Sequence, residues 1–462
     1  MQIIIYIKSK ISNGEWTIGS PIPSQRMLAK MFNVNRSTVI TALDELMADG
    51  LVTGIPGKGT VVTNNTWTLM GKEAMANWGD SVSKGIHEAS MSTVQKINDA
   101  ESDSGLIQLS KGELSPNIFP LEQMKLIMRE VSEQLEPFGY EEPKGNPSLR
   151  EAVSNYLENR GMKVSPSSIL IVSGALQALH LISIGLLQKG ADVMLEQPSY
   201  LYSLSVFQSA GMNLCGLPMD REGLKPEALK QMNEHGKNVL YTIPSFHNPT
   251  GVLMTNNRRM QIIKACEHER LPIIEDDVYR DLWIDTPPPL PLKTMDRHGN
   301  VLYLGSLSKS LSPGLRIGWL VGPEAVIARL ADLKMQSDYG SSSLSQQVAA
   351  KWLSSGAYDT HIESVRKELR ERRNIVLKYL EKHLGQFADW DIPAGGFFIR
   401  VRLRPEFRVG KLFQKAYASG VLLNPGSIYA ERDGQYFRIS FAYDALNRLE
   451  EGIQRIGMLV RS

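Results

Sequence analysis

Ser306-Leu307-Ser308-Lys309-Ser310-Leu311-Ser312-Pro313-Gly314-Leu315-Arg316-Ile317-Gly318 is the stretch that decides the fold of most of this chain. The apolar run Val301-Leu302-Tyr303-Leu304 ahead of it reads as a strand, so Lys309 emerges just past a strand's end. Hydroxyls flank the lysine, and Arg316 follows seven residues later. An amine so placed can condense with an aldehyde, while Ser306, Ser308 and the guanidinium bind an anion. Together they suit a cofactor that bears both an aldehyde and a phosphate. Taken alone, the same stretch also suits a serine-rich surface loop with one lysine.

Working outward, Glu275-Asp276-Asp277-Val278-Tyr279 follows the strand-like Pro272-Ile273-Ile274. A carboxylate there stands at a strand's C-terminal end, where open α/β sheets bind their ligands. A buried aspartate would keep a pyridine nitrogen protonated and make the ring an electron sink. His247-Asn248-Pro249-Thr250-Gly251 also follows a strand, Val239 to Thr242, and places Asn248 to donate to a ring oxygen; by itself it is an ordinary turn. Ser173-Gly174-Ala175-Leu176-Gln177 sits where the strand Ile169 to Val172 meets a helix. The free amides of a helix N-terminus hold phosphate, although a plain strand-to-helix turn has the same look. Arg438, in Tyr436-Phe437-Arg438-Ile439-Ser440, reads in isolation as a solvated strand residue.

From Leu106 onward such apolar strands, Val193 to Leu195 among them, alternate with helical stretches, which predicts a mainly parallel sheet covered by helices. After about Lys334 comes a long charged helical region, then short strands near Phe397 to Val401 and Tyr436 to Ser440, which predict a smaller α+β lobe. In this order the fragments resemble the fold-type I aminotransferases over about residues 106 to 458. The resemblance implies pyridoxal 5′-phosphate as cofactor, with Lys309 as its Schiff-base lysine, Asp276 on the pyridine nitrogen, and Asn248 and Tyr279 on the ring hydroxyl. It implies further that Tyr200 stacks on the ring, and that Gly174, Ala175, Leu176, Ser306, Ser308 and Arg316 hold the phosphate. Tyr140, in Phe138-Gly139-Tyr140, matches a tyrosine that reaches the partner subunit's phosphate. Arg438 matches the arginine that forks a substrate carboxylate, and Gly112 the loop lining the substrate pocket. Lys309, Asp276 and Tyr279 are the catalytic candidates.

The first 63 residues have a different character. Ser24 is a good cap for a helix Gln25 to Phe32, with Met27, Leu28 and Met31 expected on one inner face. Asn33-Val34-Asn35 turns the chain, and Arg36-Ser37-Thr38 opens a second helix whose Val39, Leu43 and Leu46 face inward. A helix presenting Arg, Ser and Thr at its N-terminus is how helix-turn-helix proteins touch bases and phosphates. Gly57-Lys58-Gly59 makes a wing tip ahead of the strand-like Thr60 to Thr63. The run Ile22 to Val39, with Asp49-Gly50-Leu51-Val52 and the Gly-Lys-Gly-Thr60 wing, resembles the GntR winged-helix family. The resemblance implies DNA contacts by Arg26, Arg36, Ser37, Thr38, Gly57 and Gly59. Gln25 stands where that family more often has Glu, a change expected to affect capping.

Residues 64–104 are polar and lack an apolar period despite Trp67 and Trp78; they read as a linker with a helix around Val94 to Ala100. The expected domains are therefore a winged helix-turn-helix over 1–63, the linker over 64–104, a large aminotransferase-like domain over 105–334 and a small one over 335–462. The fold class is multidomain: an α/β winged helix-turn-helix plus a fold-type I α/β/α sandwich with a small α+β C-terminal lobe.

Composition bounds the rest. At 462 residues the chain needs more than one core. A net charge of +2 neither demands nor excludes nucleic acid, so DNA binding rests on the local motif. Cys215 and Cys266 lie far apart without metal spacing, which fits a reducing cytoplasm and predicts no metal site. Met1 to Ile11 is apolar but carries Lys8 and Lys10 and lacks a cleavage site, so it does not read as a signal peptide. The fusion resembles the MocR subfamily of GntR regulators. That implies a domain-swapped homodimer on an operator with two half-sites, sensing an amino acid, an amine or the B6 vitamer by aldimine exchange at Lys309. Two other functions stay open: a cytoplasmic aminotransferase with an accessory DNA-binding module, and a DNA-bound structural protein with an inert pocket.

Overall fold

The structure is a computed structural model that describes residues 2–57, 59–64, 91–134, 139–230, 232, 236–405, 409–430 and 434–461. Lys58, Trp67, Trp78 and Phe138, and most of the expected linker, lie outside the described residues. The chain divides into two compact units, Met1–Gly85 and Ile86–Ser462.

In the first unit, the helix Gln2–Ser12 buries Ile3, Ile7 and Ile11, spaced four apart and so stacked on one face. Ser24 caps the helix Gln25–Phe32, its Oγ accepting from the Met27 amide at 3.3 Å. Asn33 then adopts a left-handed backbone, φ 51°, which satisfies the last carbonyls and turns the chain. The next helix, Arg36–Ala48, buries Val39, Ala42, Leu43 and Leu46. Strands β1 (Val52–Ile55) and β2 (Gly59–Val62) pair antiparallel, Val52 opposite Val62 and Ile55 opposite Gly59. Pro21 adds an antiparallel bridge to Val61. One expectation fails here. Met27 and Met31 are 58% and 52% exposed, and only Leu28 of the three is buried. Successive helical residues are rotated by about 100°, so Leu28 faces inward with Ala29 and Phe32 while the two methionines stand together outside.

The second unit is built on an eight-stranded sheet. Its strands follow a short β3 (Ile107–Gln108) in the chain: β4 (Ile169–Val172), β5 (Asp192–Gln197), β6 (Asn213–Asp220), β7 (Gly223–Leu224), β8 (Val239–Thr242), β9 (Ile273–Asp276), β10 (Val301–Ser306) and β11 (Gly318–Val321). The spatial order is β4-β11-β10-β9-β8-β5-β6-β7. Strands β6, β5, β8, β9 and β10 run parallel, and β11 lies antiparallel to both β10 and β4. It follows that the C-terminal ends of β4, β5, β8, β9 and β10 open on one edge of the sheet. Strands β4, β8 and β9 are buried along their whole length, as a sheet covered on both faces requires.

The smaller sheet contains β12 (Ala388–Trp390), β13 (Phe398–Leu403), β15 (Asn424–Pro425) and β16 (Tyr436–Ser440), ordered β12-β13-β16-β15. Strand β14 (Val421–Leu422) pairs in parallel with β3. Ile107 and Gln108 are thus tied to the C-terminal lobe. The helix Ser92–Ala100, foreseen within the linker, buries Val94, Ile97 and Ala100 in the core of this second unit. A buried knot ties the lobe helix Ala357–Leu384 to the sheet unit. Asp281 accepts from Tyr156 Oη at 2.6 Å, Tyr358 Oη at 2.7 Å and Arg160 Nε at 2.9 Å. Tyr358 Oη also lies 2.8 Å from Ser310 Oγ, which steadies the residue after Lys309. Among the described residues no helix is long and apolar enough to cross a membrane.

Candidate functional site

The strand ends gather most of the expected residues around one cavity of about 390 Å³. Its lining includes Gly112, Gly174, Ala175, Leu176, Tyr200, Asn248, Asp276, Tyr279, Ser306, Ser308, Lys309, Arg316 and Arg438. Tyr140 does not reach it. That side chain is 81% exposed and packs its ring 4.6 Å from Tyr339.

Lys309 stands in the turn after β10 and donates from Nζ to the Gly112 carbonyl at 2.7 Å. Burial lowers its pKa and Arg438 adds to this, with Glu113, Glu101 and Asp276 opposing. A lysine so shifted is readier to act as a nucleophile, because the neutral amine is the reactive form. At the end of β9, alternation sorts the successive acids Glu275, Asp276 and Asp277 by face. Glu275 is buried and accepts from the Leu292 and Lys293 amides at 2.7 and 2.9 Å. Asp277 pairs with Arg280 at 3.4 Å. Only Asp276, between them, lines the cavity. Strand β9 runs two residues beyond the expected Pro272 to Ile274, so Asp276 is its last residue instead of a loop residue. Its Oδ2 accepts from Tyr241 Oη at 2.7 Å. Burial pushes the carboxyl up to about 6, while that hydrogen bond and the Val278 amide pull it down.

An anion cradle forms at the other end. Gly174 caps the helix Ala175–Gly185 with φ 93° and ψ 164°, a conformation open essentially to glycine alone. A Cβ there would sit 2.9 Å from Arg316 Nη2. Arg316 donates from Nη2 to the Ser173 carbonyl at 2.6 Å, so the guanidinium lies across the first turn of that helix. Ser306 Oγ lies 3.0 Å from Ser308 Oγ and accepts from the Ser308 amide at 3.1 Å. Helix amides, two hydroxyls and a guanidinium around one space are the donor set that a phosphate takes.

Arg438, on β16 and nearly fully buried, donates from Nη1 to Asn248 Oδ1 at 2.8 Å and from Nη2 to the Ser110 carbonyl. Its guanidinium lies 3.8 Å from the centre of the Phe398 ring. The Nε is buried without a hydrogen-bond partner, while each Nη spends one of its two N–H groups on the protein and keeps the other. Tyr279 is buried edge-on against Phe397 and Phe398, with ring centres 5.7 and 6.0 Å away.

Several contributors escaped the sequence reading. Tyr241 looked like one apolar residue of a buried strand. Glu196 is buried within electrostatic reach of Asp276, and His247 Nε2 lies 3.9 Å from Glu196 Oε2; burial raises Glu196 to about 7 and lowers His247 to about 3, which keeps the imidazole neutral. Tyr429, whose hydroxyl accepts from Asn424 Nδ2 at 2.8 Å, lines the cavity too. So do Val94, Ile97, Asn98 and Glu101 of the helix Ser92–Ala100 and its cap. Their i, i+3, i+4, i+7 spacing was the available signal, hidden by the polar composition around it.

On the first unit, Arg26, Arg36, Ser37 and Thr38 are all exposed. Gly57 and Gly59 carry φ of 79° and 84° where the wing turns. Arg36 Nε donates to Gln25 Oε1 at 3.0 Å. The expected effect of Gln25 on capping is not what is seen, since Ser24 supplies the cap. Gln25 instead orients the first arginine of the next helix.

Residues 104–456 match the family model described as aminotransferase class I and II, and residues 1–62 match that of bacterial regulatory proteins, gntR family. The chain is 60% identical over 461 residues to the uncharacterized HTH-type transcriptional regulator YdfD of Bacillus subtilis, covering 100% of this chain and 96% of that one. It is 33% identical over 444 residues to the HTH-type transcriptional regulator NorG of Staphylococcus aureus, covering 95% and 99%. Among solved structures, the multiple substrate aminotransferase of Thermococcus profundus superposes with a TM-score of 0.75 at 30% identity, covering 81% of this chain and 95% of that one.

Proposed function

The chain belongs to the family in which a GntR helix-turn-helix is fused to a class I and II aminotransferase domain, and from that premise we propose that this DNA-binding transcription regulator binds pyridoxal 5′-phosphate and senses an amine-bearing ligand at Lys309. The observation that carries this function is a single cavity joining a nucleophilic lysine, a buried carboxylate, an anion cradle and a partly free arginine. The cofactor would supply an aldehyde carbon with which amines condense, and an electron-poor ring behind it.

The residues divide the work. Gly174, Ala175, Leu176, Ser306, Ser308 and Arg316 hold the phosphate; a side chain at 174 would fill the space between the helix amides and the guanidinium. Asp276, kept in place by Tyr241, holds a proton on the pyridine nitrogen. Asn248 and Tyr279 bind the ring hydroxyl, and Tyr200 covers a ring face. Lys309 Nζ, whose pKa burial lowers, would hold the cofactor's aldehyde carbon and would be the amine that a ligand amine replaces. Arg438 forks the ligand's carboxylate, and Gly112 keeps the pocket wall thin beside Phe398. In the first unit, Arg26, Arg36, Ser37, Thr38 and the wing glycines contact the operator. Tyr140, exposed here, would serve the partner subunit of a homodimer whose two winged helices bind two half-sites. The subfamily fits MocR. For the domains we propose the expected limits with one change, Ser92–Ala100 going from the linker to the ligand-binding unit.

A ligand can shift DNA binding only through different affinities for two arrangements of the protein. The test is therefore double: absorbance of the cofactor-loaded chain during an amine and amino-acid screen, with operator binding measured on the same samples. Compounds that move both support sensing. Steady turnover of an amino and a keto acid, with operator binding indifferent to every compound, would support the aminotransferase alternative instead.

A further inference from the structure

With the cofactor and ligand groups assigned as above, the charges of the cavity can be paired off. The phosphate takes Arg316 and the helix amides, the pyridine nitrogen takes Asp276, and a ligand carboxylate takes Arg438. Glu113 has Lys111 Nζ 3.9 Å from its Oε2. Glu101 is left over. It lines the same cavity, is half-buried, and has no ion pair within 4 Å among the described residues. Its electrostatic neighbours are Arg438, Lys111, Glu113 and Lys309, of which Arg438, Glu113 and Lys309 line the cavity.

Two features show that its position is built and not incidental. Glu101 is the C-terminal cap of the helix Ser92–Ala100, its amide donating to the Ile97 carbonyl at 2.9 Å. An acid at that end opposes the helix dipole, so nothing in local stability favours it. The turn is also clamped. Gln108 Nε2 donates to the Ala100 and Asp103 carbonyls at 3.0 and 3.1 Å, and Lys96 Nζ sits 4.2 Å from the centre of the Tyr417 ring. Val94, Ile97 and Asn98 precede Glu101 on the face that forms the cavity wall.

Resting on the sensing function proposed above, we infer that Glu101 is a specificity-determining residue that selects a ligand with a second cation, namely an amino acid with a basic side chain. The α-amine would take the place of Lys309 on the cofactor's aldehyde carbon, releasing the lysine amine, while the carboxylate meets Arg438 and the distal ammonium meets Glu101. The helix that carries Glu101 follows directly in sequence the segment joining the two units, so the residue that reads the ligand also belongs to the element nearest that connection.

The experiment uses the full chain loaded with pyridoxal phosphate, the probes L-lysine, L-ornithine and the uncharged L-norleucine, and the variant Glu101→Gln. Ligand binding is followed both by cofactor absorbance and by thermal shift. The parent should bind L-lysine or L-ornithine about ten- to a hundredfold more tightly than L-norleucine, the range of close charge pairs. Glu101→Gln should erase that preference, read as the ratio of L-lysine to L-norleucine affinity within each protein. Equal binding of lysine and norleucine by the parent, or an undiminished preference in the variant, overturns the assignment. If no amine moves the absorbance, exchange at Lys309 is refuted separately; the thermal shifts then still decide whether Glu101 confers the preference.

Discussion

Tyr241→Phe removes the hydroxyl that donates to Asp276 Oδ2 at 2.7 Å and changes nothing else in outline. Asp276 is already pushed up to about 6 from its ordinary 3.8, because burial outweighs the two hydrogen bonds that pull it down. The ionised carboxylate is therefore disfavoured by the fold. In the ligand-free protein its contribution to stability is complete below about 3.8 and is lost as the pH rises through about 6. A protonated pyridine nitrogen needs the ionised form, so cofactor affinity grows with pH through the same window. A hydrogen bond to a charged acceptor is worth about 1.5–3 kcal/mol, and a pK unit is about 1.4 kcal/mol, so the variant should raise Asp276 by about one to two units. At pH 7 its ionised fraction would fall from about nine-tenths to between about a half and a tenth. The assay is equilibrium titration of pyridoxal phosphate at closely spaced pH values on both proteins; other titrating groups are common to both and drop out of the difference. The midpoint for the variant should lie near pH 7 to 8, about one to two units above the parent. A midpoint within about 0.3 unit of the parent's, with an unchanged unfolding transition, would refute the assignment of Asp276 as the group that limits cofactor binding.

Three other predictions can be checked more simply. Lys309→Ala should leave the unfolding transition intact but abolish cofactor retention after borohydride reduction, read by mass spectrometry; a labelled variant would move the tether elsewhere. Gly174→Ala forces a side chain into a glycine-only conformation beside Arg316, and should cost about 1–3 kcal/mol in urea unfolding as well as weakening phosphate binding; a neutral result would mean the cradle is looser than it looks. Arg36→Ala should lower discrimination between operator and random DNA by about 1–3 kcal/mol if Arg36 reads a base. Gln25→Ala should then reproduce part of that loss, because it frees the arginine it orients; an effect equal on all sequences would assign Arg36 to a phosphate.

The parts of the fold legible in the chain are those where one residue type has one physical use. The apolar runs that became β4 and β8 read as strands of a covered sheet, and these two and β16 were read to the residue. The limits of β9 and β10 were missed by two residues, because acids and serines at strand ends do not look like sheet. Of the four added residues, Glu275, Asp276, Gly305 and Ser306, the last of each strand, Asp276 and Ser306, lines the cavity, so a polar residue closing an apolar strand was itself the mark of the site. Leu28 and the two methionines show the opposite limit. Hydrophobicity says that a residue can be buried, while only the helix phase relative to its neighbours says which one is.

The cavity separates two kinds of residue in the same way. Lys309, Arg316 and Gly174 were found because local spacing constrains them: a lysine after a strand, an arginine one loop later, a glycine ahead of a helix. Tyr241 and Glu101 act through partners far away in sequence, and no local pattern distinguishes them from a core tyrosine and a solvated acid. Glu101 is the sharper case. A carboxylate at a helix C-terminus is unfavourable by about 0.3–1 kcal/mol at most, too little to stand out among 49 acidic residues. It becomes informative only beside Arg438 and Lys309, where three long-range packing choices meet. Residues whose function depends on cancelling another group's charge are therefore the last to be read from a chain, and the first to ask about once its cavity is known.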